Sequence, residues 1–400
     1  MRGFSEPKLS QQPNPPLRLL FMKELSESRI LIVDDVPANV SVLVEALRGE
    51  FQLSVALDGD TALRSIQKLL PDLVLLDIVM PGLDGYEVCR RLRASAQTRE
   101  IPIMFLSSLE DVHDKAKGFE AGGNDYLVKP FEILEVKARV RSLLKAKAYA
   151  DAIKEKIAYD LRIAREIQMG ILPQDVTAVG DGTGLEVSAV LEPAQAVGGD
   201  LYEVLRTSEG NLILTIGDVS GKGIPAALFM AVTMTLVRAM APELRRPEVI
   251  LRRVSDALTV QNPRNMFVTL LCAAYDVRTG NLTYASAGHP PAILLRDGAA
   301  TPLPVEPDVP AGVYAGSVPR SQAFDLEVGD QIVLYTDGVT EAFNAAGDLY
   351  GESRLLQALH GLSDQPASET TSALLKSVRA HAGDHPQSDD IAVLTFKRYK

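Results

Sequence analysis

The residues most able to do chemistry stand at the ends of apolar runs. Ile30–Val33 ends in Asp34 and Asp35, Leu73–Leu76 in Asp77, Ile101–Leu106 in Ser107, and Tyr126–Val128 in Lys129. If those runs are parallel strands, all five polar residues fall at one sheet edge, beyond the carboxyl ends, where such sheets bind ligands. Like charges a few Å apart repel by ~1 kcal/mol in water and ~4 kcal/mol at an effective dielectric of 20. Three converging carboxylates therefore need a cation, and hard oxygen ligands with room for water suit Mg²⁺. Lys129 can hold a phosphoryl oxygen as a point charge and Ser107 can hydrogen-bond another. Asp77 is then the nucleophile that takes a phosphoryl group.

The second half carries another acidic set. VGGDLYE surrounds Asp200, IGDVSGKG surrounds Asp218, YTDGVTE surrounds Asp337, and SDDIAVL contains Asp389 and Asp390. Any one of these alone reads as a strand-end or turn residue. Together, with no histidine or cysteine among them, they favour Mg²⁺ or Mn²⁺ over zinc. Neighbouring glycines let backbone carbonyls approach an ion. Two such ions ~3.5–4 Å apart can activate a water and clamp a phosphoryl group. GDVSGKG has a lysine after glycine but lacks the spacing of an NTP-binding P-loop. His381 and His385 flank Asp384, yet read as surface histidines before a strand, and His289 reads as structural.

These side chains need elements to hold them. Fully apolar strands alternating with helical patterns over residues 28–144 indicate a parallel sheet covered on both faces. Residues 145–172 read as one long helix, free of glycine until Gly170 and stopped by Pro173. Ala150, Ile153, Ile157, Ala164, Ile167 and Ile171 keep a 3–4 spacing, either a short coiled-coil seam or an ordinary amphipathic face. Residues 173–400 alternate strand-like runs with helices, which suggests an α+β domain with sheets packed between helix layers. The prolines within residues 1–27 make that stretch a disordered tail, and Met22 is an alternative start.

Composition narrows the class. The chain has 400 residues, 46% apolar, with a formal charge of −11. The acidic balance excludes a nucleic-acid binder, which would show a basic stripe. Cys89 and Cys272 lie far apart, which fits a reducing, cytoplasmic compartment. The longest apolar stretch, Ile224–Val237, is shorter than the ~20 residues a bilayer span needs and reads as a buried helix, so no membrane partner is expected.

The segments LIVDD, LVLLDIVMPGLDG, FLSS and DYLVKPF resemble the response-regulator receiver family over residues 28–144. That resemblance implies a flavodoxin-like α/β fold with a five-stranded parallel sheet. It implies Mg²⁺ on Asp34, Asp35 and Asp77 with the Val79 carbonyl, phosphorylation of Asp77 by a sensor histidine kinase, a Ser107–Tyr126 switch pair, and a cis proline, Pro130, after Lys129. The second half, from REIQMGILP onward and including AGHPPAILL, resembles the PP2C-type serine phosphatases of the SpoIIE and RsbU group. By that resemblance Asp218 bridges two Mn²⁺ or Mg²⁺ ions. The Val219 carbonyl and Asp200 support one ion, and Asp337 and Asp389 the other, with Asp390 as the alternative to Asp389.

The expected protein is a response regulator. Its receiver would control metal-dependent dephosphorylation of a phosphoserine or phosphothreonine protein, by water attack without a covalent intermediate. The group implies a phosphorylated STAS-type anti-sigma-factor antagonist as substrate. A homodimer through the long helix is expected. The rival is a non-catalytic adaptor that binds a sigma factor and directs it to proteolysis; such an adaptor can lose the metal carboxylates, which this chain retains.

Overall fold

The structure is a computed structural model and describes residues 25–108, 112–260 and 262–400. Residues 1–24, with Met22 and nearly all of the expected tail, lie outside the described residues; Leu25–Glu27 form a single 3-10 turn. The chain divides into two compact units, Met1–Tyr159 and Asp160–Lys400.

The first unit is a parallel sheet of β1 (Arg29–Val33), β2 (Gln52–Ala56), β3 (Leu73–Asp77), β4 (Ile103–Ser107) and β5 (Asp125–Val128), in the order β2-β1-β3-β4-β5. Between the strands run α1 (Pro37–Leu47), α2 (Gly59–Leu69), α3 (Gly85–Ala94) and α4 (Val112–Glu120), and α5 (Ile133–Ile171) follows the last strand. The central strands β1, β3 and β4 are almost wholly apolar because each alternates between two cores. Ile30, Ile32, Leu73, Leu75, Met104 and Leu106 pack with α1 and α5. Leu31, Val33, Val74, Leu76, Ile103 and Phe105 pack with α2 and α3. Asp58 and Asp84 start α2 and α3 by accepting from Thr61 N and Glu87 N, each at 2.7 Å, satisfying otherwise orphaned donors.

The second unit has two five-stranded sheets. After the short α6 (Val176–Gly180) come β6 (Leu185–Glu192), β7 (Leu201–Arg206), β8 (Leu212–Val219), α7 (Ile224–Leu244), α8 (Pro247–Thr259), β9 (Val268–Tyr275), β10 (Asn281–Ala287), β11 (Ile293–Arg296), β12 (Ala299–Pro302), β13 (Ser321–Asp325), β14 (Gln331–Tyr335), α9 (Gly351–Leu359), α10 (Ala367–Ala382) and β15 (Ile391–Arg398). One sheet has the order β13-β10-β9-β8-β7 and the other β12-β11-β14-β15-β6. Period-two alternation assigns the layers. On β15, Ala392, Leu394 and Phe396 join the core between the sheets, which also takes in α7 and α8. Ile391 and Val393 face the other way, into a core with α9 and α10. The result is helix, sheet, sheet, helix.

Two helices bear on the sequence expectations, the first agreeing with the long helix expected and the second not. α5 is one unbroken helix of 39 residues, so the segment expected as a linker continues the last helix of the first unit. Its Ile153, Ile157 and Ile167 are 58%, 53% and 61% exposed. The apolar stretch from Ile224 is not a buried helix, as its composition suggested. Met230, Met234 and Val237 are buried, but Ile224, Leu228 and Val232 are half exposed or more. Such a helix covers one sheet face only, so one stripe is buried whatever the composition of the other. It is the one helix among the described residues long and apolar enough to cross a membrane by length and composition.

Candidate metal and phosphoryl-transfer sites

At the carboxyl edge of the first sheet, the strand ends bring Asp34, Asp35 and Asp77 together, with a ligand oxygen from each within 4.8 Å of the others. Asp34 and Asp77 are buried. Lys129, from the turn after β5, reaches both, at 2.7 Å from Asp34 Oδ2 and 2.9 Å from Asp77 Oδ2. Asn39 Nδ2 donates to both Asp34 oxygens at 3.1 Å. Burial raises the Asp77 carboxyl above its usual range, against the pull of Lys129 and with the help of Asp34. Burial draws the Lys129 ammonium down, but its bonds to Asp34 and Asp77 outweigh this and raise it. Ser107 is buried at the end of β4 and Tyr126 within β5, Val79 is 59% exposed, and the Lys129–Pro130 peptide is cis. Oxygen donors around a balanced cation site fit a hard divalent ion.

In the second unit, Asp200 precedes β7, Asp218 closes β8, Asp337 follows β14 and the Asp389–Asp390 pair precedes β15. These strand ends come from both sheets, so the pairing of the two sheets assembles the set. Asp200 is buried and accepts from Thr336 Oγ1 at 2.7 Å. Its carboxyl is held well above the ordinary range by burial and then by Asp218. The two carboxylates lie side by side, and burial raises both. Asp218 is pushed up to about 7 by burial and by the fields of Asp337, Asp389 and Asp390. Burial, then Glu341 and Asp389, raises Asp337. Among the described residues of this unit, no three of these groups come within 4.8 Å of one another. The set is mutually repelling and entirely oxygen-donating, which suits hard divalent ions.

The two halves of the Asp389–Asp390 pair have different surroundings. Asp390 is buried, and its two oxygens accept from Ala194 N at 2.8 Å and Gly199 N at 2.6 Å. A Cβ on Gly198 would stand 2.0 Å from Asp390 Oδ2, so that position admits only glycine. Asp389 is half-buried and carries Lys222 Nζ on its Oδ2 at 2.9 Å. Asp390 ties a loop; Asp389 is the one open to a ligand.

Comparison with known proteins names both units. Residues 30–141 match the response regulator receiver domain, and residues 208–399 match Stage II sporulation protein E (SpoIIE). The chain joins a receiver domain to a SpoIIE-type, PP2C-like domain. The response regulator PleD of Caulobacter vibrioides is 42% identical over 137 residues, 34% of this chain and 30% of its own length. The DNA-binding response regulator MtrA of Mycolicibacterium smegmatis is 46% identical over 118 residues, 29% of this chain and 50% of its own. The chain thus spans half or less of these curated relatives. The SiaA-PP2C domain of Pseudomonas aeruginosa shares the fold of the second unit, with a TM-score of 0.56 at 24% identity, covering 62% of this chain and 98% of that one.

Within the SpoIIE-type domain, His289 is buried and both ring nitrogens are engaged. Nε2 lies 3.1 Å from the Tyr335 carbonyl, which can only accept, so Nδ1 accepts from Thr269 Oγ1 at 2.8 Å. Burial lowers its pKa to about 3, so it is a neutral structural group. His381 and His385 bond the carbonyls of Asp348 and Pro386. Sequence reasoning missed two residues. Lys222, in GDVSGKG, is the cation on Asp389 and also donates to the Ser388 carbonyl at 2.5 Å. Gln168, in REIQMGILP, is 3% exposed and bonds the backbone of Gly198, next to the Asp200 motif. A polar residue inside the apolar stripe Ala164, Ile167, Ile171 was the available signal for it.

Proposed function

We propose that this protein is a cytoplasmic two-component response regulator. A sensor histidine kinase phosphorylates Asp77, and the phosphorylated receiver controls a metal-dependent serine/threonine protein phosphatase in the second unit. Asp34, Asp35, Asp77 and the Val79 carbonyl hold Mg²⁺. Lys129 and Ser107 take oxygens of the phosphoryl group, and Ser107 with Tyr126 forms the switch. In the phosphatase Asp218 and Asp337 are the principal metal carboxylates, with Asp389 as the exposed member of its pair. Asp200, held by Thr336, and the Val219 carbonyl complete the set. When bound, two Mn²⁺ or Mg²⁺ ions supply Lewis acidity to a water and to the phosphoryl oxygens. The carboxylates orient that water for attack on phosphorus, and no side chain forms a covalent intermediate.

The observation that carries this reading is geometric: strand ends from both sheets bring the buried Asp200 and the half-buried Asp218, Asp337 and Asp389 into one acidic set. A set so far from charge balance gains most from divalent cations. An adaptor would have no use for it, and no observation favours that alternative. The substrate class we propose is a phosphorylated STAS-type anti-sigma-factor antagonist. The exposed isoleucine stripe of α5 supports a homodimer through that helix. The test is to incubate the full chain with Mn²⁺ and phosphorylated candidate antagonists from the same genome. Phosphate release that stops with EDTA is expected; metal-independent release, or none from any phosphoserine or phosphothreonine protein, overturns the reading.

A further inference from the structure

The loop between β6 and β7 is gripped from two sides. Gln168 Nε2 donates to the Gly198 carbonyl at 2.6 Å, and Gln168 Oε1 accepts from Gly198 N at 3.1 Å. Asp390 holds the same loop through Ala194 N and Gly199 N. The next residue is Asp200, which accepts from Thr336 and lies beside Asp218. One carboxamide thus satisfies both polar groups of a single glycine, one step along the chain from the loop's anchor to Asp390 and two from Asp200.

Gln168 belongs to α5, the helix that begins at Ile133 in the first unit. A second yoke holds the same end of the helix. Arg238 of α7 donates to the Ile171 carbonyl and to Glu203 of β7, the strand that Asp200 opens. The buried side chain of Glu203 is 2% exposed. The last turns of α5 are therefore tied to the backbone before Asp200, at Gly198, and through Arg238 to the side chain of Glu203 after it. A carboxamide offers two donors and one acceptor in a fixed plane, so a rotation or axial shift of α5 cannot keep both Gly198 bonds without moving Gly198. A continuous helix whose position two sites can bias is the physical element a coupling claim requires.

We propose that Gln168 is a positioning residue through which α5 sets the Gly198–Asp200 backbone, so that the state of the receiver is read out as the fit of the phosphatase carboxylates to their ions. This rests on the phosphatase reading above. A Gln168 that merely anchored the helix would affect folding but neither metal affinity nor the response to phosphorylation.

The test uses the full chain with Gln168→Glu, which keeps the shape but sets a carboxylate against the Gly198 carbonyl, and Gln168→Met, which removes both bonds. In an Asp35→Asn background, where calorimetry of Mn²⁺ reports the second unit alone, affinity should fall by about 10–100-fold, the usual consequence of losing an outer-shell partner. In the otherwise unmutated receiver, kcat should fall while KM for the phosphoprotein holds, and the turnover ratio with and without phosphodonor should move toward one. Folded variants with unchanged Mn²⁺ affinity and an unchanged ratio overturn the proposal. Should the variants not fold, hydrogen exchange on the unmutated chain decides. Protection at residues 194–200 should change when beryllofluoride loads the receiver, and no change there while receiver peptides respond overturns it. An unmutated chain that is folded yet binds no Mn²⁺ in its second unit would fail the phosphatase reading instead, leaving the exchange result to judge Gln168.

Discussion

The two acidic sites of this chain solve the same electrostatic problem in opposite ways. In the receiver, Asp34 and Asp77 share a cation of their own, Lys129, placed 2.7 and 2.9 Å away. In the SpoIIE-type domain the cation on the set is Lys222, whose side chain is 43% exposed and reaches only Asp389, at the edge. Burial, with repulsion from neighbouring carboxylates added, raises Asp200, Asp218 and Asp337 above the usual carboxylate range; burial raises Asp77 too, but there Lys129 pulls against it. An internal ammonium lets a site stand assembled before its ion arrives. A site without one stores its repulsion as raised pKa values and gives up protons when an ion binds. On the function proposed above, the first arrangement would suit a switch that waits for phosphorylation and the second a centre assembled with its metals.

Separate disruption of the two sites should give the largest effects. Asp218→Ala should lower Mn²⁺-dependent hydrolysis by more than ~100-fold, beyond what loss of an outer-shell partner does, while Asp77 still takes label from a small phosphodonor. Asp77→Asn should abolish that label and leave Mn²⁺-dependent hydrolysis in place. Label persisting in the Asp77 variant, or full turnover in the Asp218 variant, would show that the roles are misassigned.

Removing the internal cation tests the comparison itself. Lys129→Met should destabilise the receiver by roughly 3 kcal/mol in EDTA, the lower range for breaking a buried pair. Mg²⁺ should recover part of that loss in denaturant titrations. Equal losses with and without Mg²⁺ would refute the balance argument.

The pH dependence of the second unit should carry the opposite sign to that of an ion-paired carboxylate. Asp218 is near 3.8 when unfolded and about 7 when folded, so the folded state binds more protons between those values. Stability without metal must then fall as pH rises from about 4 to about 7. A fully expressed shift of this size corresponds to at most about 4 kcal/mol. Thermal melts of the EDTA-treated chain should show this decline, and Asp218→Asn or saturating Mn²⁺ should flatten it. A rise in melting temperature over that window would contradict the cluster described here. The smallest effect is expected from α5: Ile157→Asp or Ile167→Asp should weaken self-association in ultracentrifugation and blunt the response to phosphodonor. Basal turnover should change less, because neither residue is a metal carboxylate, and wild-type mass with a wild-type response would make the helix a passive tether.

Much of this was legible in the linear chain. β1, β3, β4 and β5 announced themselves as unbroken apolar runs because both faces of the receiver sheet are covered, and the polar residues ending them landed on one edge for the same reason. β2 did not, because Gln52–Ala56 is an edge strand whose side chains are mostly exposed or half-exposed, so it makes no continuous apolar run. In the second unit β12 and β13 were invisible likewise: both are edge strands, short and partly exposed. The acidic motifs and their preference for hard ions followed from residue types alone. Which aspartate of the Asp389–Asp390 pair is open did not, since consecutive residues differ only in what the fold puts beside them. The β6–β7 loop occupies Asp390 with two N–H groups and leaves Asp389 facing Lys222. The apolar stretch from Ile224 fixed a helix but not its burial, because composition does not say how many faces a neighbouring sheet will cover. Gln168, a polar residue beside an apolar stripe, gave no reading of its own. Only the approach of Gly198, distant in sequence and adjacent in space, turned it into a pair of hydrogen bonds, because such bonds depend on ångström-scale placement that residue type and spacing do not encode.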